Sequence, residues 1–481
     1  MKKSMFLTNI FRRFDISTVK ANAIASAVLG IGAILAIFAG YMVVHGSWMI
    51  ALALLLALPA FIVLHRYPWL ALLIWLAVVP LFTYTPDTAG RQIFWLTHRA
   101  LPPATLIIML IASKLRINPR QFPNLGWAEG MMAVYLIFGI ASIVLLNDKA
   151  QATFYLFYDR VISPICLYMV IRLWAPNEED LKRLAPVVLF LLVFQIFAGL
   201  LAWYSPSLLP AAWTRGDAGR TTGTLSSYGA YAAAMLFSGL FLLQSRLNQK
   251  AGFVRNLYLF SFILAGFGVF ISFSRGAWTA GLLVILGLLL IDRKHILQIG
   301  LIVIPLVYVL ADGPLASQIE WAQERLSSER AEQSALVRLP VFQASMRMFA
   351  AKPFFGWGYE NFNRYDSQFY SAVEGVAAPV KDLSSHNFFL TLLAEQGSVG
   401  TFLFLFPFFW WLMRSLRKMP GLPMAGYWGK RSLTLAWLFI FAYITINTFH
   451  NMRVVFGLSL WWVGLALIAN AVEHPRESGS A

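Results

Sequence analysis

Long apolar runs recur along the whole chain. A run of about 17 to 24 apolar residues is enough to cross a bilayer as a helix. About fourteen are read, at residues 21–44, 47–64, 68–84, 100–113, 127–147, 158–174, 184–204, 226–244, 257–274, 276–291, 296–311, 399–413, 432–450 and 454–472. Composition agrees. Of 481 residues 59% are apolar, 15% aromatic and 12% charged, with a mean hydropathy of +0.67. An ordinary soluble domain carries roughly 25% charged residues, so soluble and disordered classes are excluded. Cys166 is the single cysteine, and no disulfide framework exists. The expectation is an all-α polytopic membrane protein of about 12–14 transmembrane helices.

Orientation follows from the basic residues. Lys2, Lys3, Arg12 and Arg13 precede the first run. That run is longer than the 7–15 residues of a signal-peptide core and reads as a retained anchor. With the N-terminus inside, Lys and Arg concentrate on the cytoplasmic segments. The net charge of +16 then reports orientation and calls for no nucleic-acid partner. The layout expected is a cytoplasmic segment 1–20, spans over 21–311, a long periplasmic loop 312–398, C-terminal spans over 399–472 and a cytoplasmic tail 473–481. A structureless loop of that length is uncommon. Its part from Ala316 to Phe349 is rich in helix formers, Pro340 suits the first turn of a helix, and Pro353-Phe-Phe-Gly-Trp-Gly358 is turn chemistry.

Polar residues on the outer side carry the chemistry. Trp213-Thr-Arg-Gly-Asp-Ala-Gly-Arg-Thr-Thr-Gly223 combines Arg215 and Arg220 with three glycines. Arginine grips phosphate oxygens bidentately, and glycine lets backbone N–H groups approach an anion; the other reading is a flexible basic loop. Arg275 lies between two apolar runs in Ser272-Phe-Ser-Arg-Gly-Ala-Trp278. A charge at membrane depth needs a partner or a task, unless it snorkels to the headgroups. Arg338 and Arg347 lie on the helices of the long loop, where arginine is often only a solvated face. His386, in Ser384-Ser-His-Asn387, stands where that loop re-enters the membrane. Imidazole can take a proton from a hydroxyl near neutral pH, or it can simply cap a helix. His98 and His450 also lie near the outer face, so position does not select His386. No Walker loop, dinucleotide fingerprint or Cys/His metal spacing is present, and no cofactor or metal is called for. Outer arginines can neutralise developing charge without one.

Taken together, Arg220-x-x-Gly223, Ser272-x-Ser-Arg-Gly-Ala-Trp278, Arg338, Lys352-Pro-Phe-Phe-Gly-Trp-Gly358, Ser385-His-Asn387 and Glu395-x-Gly397 resemble the O-antigen ligase and polymerase superfamily of bacterial membrane glycosyltransferases. The resemblance covers about residues 210–415, and order and spacing carry it rather than any one motif. The sequence departs from the family at Leu225-Ser-Ser-Tyr-Gly229, often an Asn-Pro-Asn stretch, and at Ser384, often polar or imidazole.

The resemblance implies a lipid-carrier (GT-C-like) glycosyltransferase fold in the bacterial inner membrane. It implies a donor glycan on undecaprenyl diphosphate and a saccharide acceptor at the periplasmic face. Arg220, Arg275 and Arg338, with Arg215, are the expected diphosphate clamp. His386 is the expected base, supported by Asn387 or Glu395. The acceptor is either a lipid-linked repeat unit, as for an O-antigen or exopolysaccharide polymerase, which is slightly favoured, or lipid A core or a protein, as for a ligase. A flippase and a chain-length regulator are candidate partners. Two other classes remain: a transporter or lipid-glycan flippase, which needs polar residues at mid-bilayer in paired halves, and a non-catalytic scaffold.

Overall fold

The computed structural model describes residues 26–473, except 27–29, 31, 35, 46–58, 86, 116, 118–121, 212, 215–219, 312, 314–315, 328–335, 337, 372–384 and 452. Two compact units are present. One comprises Met1–Pro68 with Ile108–Asn118, and within it Gly32–Val44 is an apolar helix. The other comprises Trp69–Ile107 with Pro119–Ala481 and holds every candidate residue. All regular structure among the described residues is helical.

From Trp69 onward the principal helices are α1 (Trp69–Phe82), α2 (Thr88–Lys114), α3 (Trp127–Leu146), α4 (Ala150–Trp174), α5 (Glu178–Tyr204), α6 (Tyr228–Leu247), α7 (Phe253–Ile271), α8 (Arg275–Ala311), α9 (Ala316–Ser327), α10 (Arg338–Ala351), α11 (Phe388–Lys418), α12 (Lys430–Phe449) and α13 (Val455–Glu473). Among the described residues nine helices are long and apolar enough to span a membrane, or ten if Pro59–Arg66 and Trp69–Phe82 make one span. Three shorter apolar helices accompany them: Gly32–Val44, Arg275–Ile291 and Ile296–Pro305. The count is therefore lower than about fourteen full spans. Most of the run 47–64 lies outside the described residues. The runs 276–291 and 296–311 are represented by the short apolar helices Arg275–Ile291 and Ile296–Pro305, which follow one another within the helical stretch α8.

Two helices form the core. α6 and α13 are the most enclosed of the spans. Lipid offers no hydrophobic drive for apolar helices to associate, so close packing must do it, and small residues allow the closest approach. α6 opens Tyr228-Gly-Ala-Tyr-Ala-Ala-Ala, and a Cβ on its Gly239 would come 2.7 Å from Ala265 on α7. Large apolar side chains such as Ile137, Val144 and Leu145 stay exposed on the outside of the bundle, as lipid-facing positions require.

The two ends of the bundle differ. At one, the buried Arg172 guanidinium bridges Glu129 at 3.3 Å and Glu473, and Tyr168 donates to Glu129 at 2.8 Å. At the other, α3, α5, α7 and α12 finish, and α4, α6, α8, α11 and α13 begin. That second end gathers the candidate residues.

Candidate functional site

Three helix starts place the cationic side chains. Ser227 caps α6, its Oγ accepting from Ala230 N at 3.3 Å. Arg275 is the first residue of α8, and a Cβ on Gly276 would lie 2.9 Å from Phe449 Cβ, so α8 begins tight against the end of α12. Arg338 is the first residue of α10, with Pro340 in the first turn as expected. The Arg220 loop is pinned rather than free-running. Thr221 accepts from Trp203 Nε1 at 2.9 Å. Thr224 accepts from Gln195 Nε2 at 2.6 Å and donates to Pro80 O at 2.7 Å.

These starts converge. The Arg220 guanidinium sits 4.3 Å from the centre of the Tyr228 ring. Tyr228 in turn lies 4.6 Å, ring to ring, from His450. Ser227 Oγ is 3.3 Å from His450 Nε2. Burial lowers the Arg338 pKa; Tyr228 counters this, while Arg275 and Arg220 lower it further. Burial also pulls His450 down to about 3, helped by His386, Arg220 and Arg338. Arg220, Arg275, Arg338, His386 and His450 thus share one electrostatic neighbourhood. His450 is held neutral at its centre.

His386 is held by local geometry. Its φ of 50° is left-handed, a conformation histidine adopts more readily than most residues. On either side, Asn387 Oδ1 accepts from Phe389 N at 2.9 Å and Leu390 N at 3.0 Å, capping α11, and Ser385 Oγ donates to Asn387 O at 2.8 Å. Asn387 therefore spends its oxygen on the helix start and fixes His386 through the backbone. Thr391, one turn into α11, accepts from Asn451 Nδ2 at 3.3 Å, which ties His386's turn to the segment carrying His450.

The first segment of α11 ends at Gly397, where φ 63° and ψ −167° break the helix. A broken helix leaves carbonyls without partners. Here Trp357 N donates to Ala394 O at 3.1 Å, and Gly358 N to Glu395 O at 2.7 Å. In return Ser398 N donates to Pro353 O at 2.7 Å and Val399 N to Phe354 O at 3.1 Å. The backbones touch so closely that a Cβ on Gly356 would fall 2.4 Å from Glu395 C, and one on Gly397 2.3 Å from Phe354 O. Both glycines have positive φ. Lys352–Gly358 and Glu395-x-Gly397, far apart in sequence, are one structural unit.

Glu395 anchors that unit. Its carboxylate accepts from Glu360 N at 2.9 Å, Phe362 N at 3.0 Å and Arg453 at 2.7 Å. Arg453 also binds Glu360, and Glu360 takes Arg160 of α4 at 2.5 Å. Burial alone would raise the Glu360 pKa, but Arg453 and Arg160 outweigh it and hold the carboxylate below its ordinary value. Burial likewise opposes the Arg453 charge, and Glu360 and Glu395 keep it above the ordinary arginine value. Arg160 lies in a π-helical turn of α4, Tyr158–Ile162, and the neighbouring Asp159 forks onto Arg99 from a similar turn of α2, Trp95–Ala100. Such turns recur at functional sites.

Backbone strain gathers here too. Of the five non-glycine residues with positive φ among the described residues, Ser226, Phe273, Glu360 and His386 stand in or beside this constellation, and only Ala175 lies elsewhere. Strained conformations persist where the surroundings impose them, most often at functional sites.

Of the residues singled out in the sequence, Arg220, Arg275, Arg338 and His386 come together. Glu395 lies in the ion network next door. Arg347 instead donates to Phe369 O at 3.1 Å. Arg215 lies outside the described residues. Sequence reasoning passed over Arg453, Glu360 and Arg160, and left His450 unselected. Their signal was modest: Arg160, His450 and Arg453 are polar residues close to span ends on the side of Arg275, and Glu360 is one acid among several in the long loop.

Residues 260–405 match the family model described as O-antigen ligase. No curated protein matches the chain. The matched interval contains Arg275, Arg338, His386 and the Gly356–Gly397 unit, whereas Arg220, His450 and Arg453 fall outside it. The match supports membership of the O-antigen ligase and polymerase superfamily, which implies a glycosyltransferase-type enzyme using lipid-linked saccharides in a membrane.

Proposed function

With an O-antigen ligase domain at residues 260–405 as the premise, we propose that this protein transfers glycan from an undecaprenyl-diphosphate donor to a sugar hydroxyl at the periplasmic face of the bacterial inner membrane, on a GT-C-like fold with both termini cytoplasmic. The observation that carries the reading is the convergence of Arg220, Arg275 and Arg338 beside His386 and His450. In the reaction the acceptor oxygen attacks the anomeric carbon, its proton passes to His386, and the bond from that carbon to the phosphate oxygen breaks. A direct displacement inverts the anomeric centre. The departing diphosphate develops negative charge, and preorganised cations stabilise such charge without a metal. Arg220, Arg275 and Arg338 fill that role, with Arg215 as a fourth cation from the same loop. Asn387 and Glu395 support His386 by fixing the two ends of the α11 segment that follows it.

A dianion suits this place on physical grounds. Three arginines gathered in one place favour a multiply charged anion beside them. Arginine is always charged and forks onto paired oxygens. A transporter would instead concentrate its charged residues at mid-bilayer in paired half-helices, whereas here Arg275 and Arg338 stand at helix starts and Arg220 in the loop before α6.

Within this chemistry we favour polymerisation of an O-antigen or exopolysaccharide repeat, because nothing in the chain marks a specific large acceptor. Ligation to lipid A core or a protein is the alternative. A flippase and a chain-length regulator are the partners a polymerase would work beside. The deciding experiment supplies the reconstituted protein with undecaprenyl-diphosphate glycan and offers lipid-linked repeat, lipid A core and a protein acceptor separately. A growing ladder from lipid-linked repeat alone supports polymerase. Product on lipid A core or the protein alone supports ligase. No product with any acceptor overturns the enzyme reading.

A further inference from the structure

One ring nitrogen of His450 is left unsatisfied. The ring is pressed by one edge onto the start of α6: Nε2 lies 3.3 Å from Ser227 Oγ, and a Cβ on Gly229 would come 2.6 Å from Cδ2. Tyr228 lies against the ring, 4.6 Å between centres. In an imidazole the atom opposite the Nε2–Cδ2 edge is Nδ1, so Nδ1 is turned away from α6. It is buried and meets no hydrogen-bond partner among the described residues.

Counting protons identifies what Nδ1 is. Ser227 Oγ accepts from Ala230 N at 3.3 Å, and Ser227 is buried. Among the described residues the hydroxyl proton has one acceptor within reach, His450 Nε2. When one nitrogen of a neutral imidazole accepts, the other carries the proton and donates. Nδ1 is therefore an N–H without an acceptor. A buried donor left unpaired is destabilising, and such groups are kept where a function uses them. The charged neighbours that act on the ring are His386, Arg220 and Arg338, with no carboxylate among them. The missing partner is an acceptor oxygen, and the surrounding cations favour an anionic one.

We propose that His450 Nδ1–H donates to a phosphate oxygen of the bound diphosphate donor, which makes His450 a second imidazole of the site, working by hydrogen bonding rather than by proton transfer. The assignment rests on the donor reading given above and adds a residue to it. In the step, the acceptor oxygen bonds to the anomeric carbon and its proton passes to His386. The electron pair of the broken carbon–oxygen bond stays on the phosphate, and the proton on Nδ1 stays where it is. A fixed donor of this kind strengthens its bond as charge collects on the oxygen it faces. A phospholipid headgroup phosphate could also accept from Nδ1, but its charge does not change, so turnover is at stake only with the reacting phosphate.

Two amides separate this role from a structural one. Asparagine places its side-chain nitrogen where Nδ1 stands, and glutamine places its own where Nε2 stands. His450→Asn therefore keeps a donor for the substrate and gives up Ser227, whereas His450→Gln does the reverse. The full chain in vesicles is given undecaprenyl-diphosphate glycan and an acceptor, and kcat and inhibition by undecaprenyl diphosphate are measured. His450→Gln should lower kcat about a hundredfold, as loss of one such donor does, and His450→Asn should stay about ten times more active than His450→Gln. The inhibition constant should rise about tenfold in His450→Gln and less in His450→Asn. The unfolding midpoints should not follow this order, since His450→Gln keeps the contact with Ser227. If His450→Gln is as active as His450→Asn or more so, the ring only holds Ser227 or a headgroup, and the proposal fails. If kcat falls in His450→Gln with the inhibition constant unchanged, the phosphate is not the partner, and the proposal fails. If wild type neither transfers glycan nor binds the carrier, the donor reading fails first and this assignment falls with it.

Discussion

Replacing Arg453 with methionine strands two carboxylates. Its guanidinium bridges Glu395, whose side chain is 1% exposed, and Glu360, at 21%. Breaking a buried ion pair by deleting one partner costs roughly 3–5 kcal/mol, because the other charge is left without compensation. Here the loss is softened on both sides. Glu360 retains Arg160, and Glu395 retains the backbone N–H groups of Glu360 and Phe362. The expected destabilisation of Arg453→Met is therefore about 3 kcal/mol, the lower end of that range. Thermal or denaturant unfolding of purified protein in a fixed detergent measures it. Adding Glu395→Gln removes the stranded charge and should return part of the loss, as a coupling of about 0.5–3 kcal/mol. The network has an acid signature as well. The Glu360 pKa is lowered in the fold, so its contribution is present above the usual carboxylate pKa and disappears as pH falls through the lower folded value. Arg453→Met should shrink that acid step. A change within about 0.5 kcal/mol, typical of a surface site, with no coupling to Glu395, would refute the view that this network fastens the α11 segment.

Arg275→Lys keeps the charge and loses the fork; glycan transfer should drop about tenfold or more with the protein still in the membrane, and full activity would make Arg275 a mere headgroup anchor. His450 has its folded pKa lowered from 6.5 to about 3, so its stabilising contribution is complete above pH 6.5 and fades progressively toward pH 3; His450→Asn should flatten that stretch of the stability profile, and an unchanged slope would contradict the burial of a neutral imidazole. Gly397→Ala forces a Cβ to within 2.3 Å of Phe354 O at a φ of 63°. It should cost at least the 1–3 kcal/mol or so of such backbone strain, read as a lower unfolding midpoint, and a neutral outcome would show that the contact yields.

The helical membrane class was legible because apolar run length is a one-dimensional property. The span arithmetic was less so. The apolar runs 276–291 and 296–311 correspond to Arg275–Ile291 and Ile296–Pro305, and neither helix is as long as a full span. The arginines were legible as positions near span ends. Their convergence was not, because it depends on how helices 50 to 110 residues apart pack. Glu395-x-Gly397 was visible as a motif whose reason was hidden: the glycine admits the backbone of Pro353–Gly358, and the glutamate holds Arg453, which lies beyond any local window. His450 shows the same limit. Nothing near it in the chain distinguishes it from His98, which is buried against Trp75 and the Asp159 carbonyl. Only the fold brings His450 to Tyr228 and Arg220.

The central claim is that His386 and the arginine cluster carry glycan transfer from a diphosphate carrier. The most direct test is release of undecaprenyl diphosphate from lipid-linked glycan by reconstituted protein, measured together with the lengthened or transferred glycan. Wild type should yield both products in equal amounts, and His386→Ala, equally abundant in the membrane, should yield neither. Transfer at the wild-type rate by His386→Ala, or glycan product without release of the diphosphate carrier, would contradict the account.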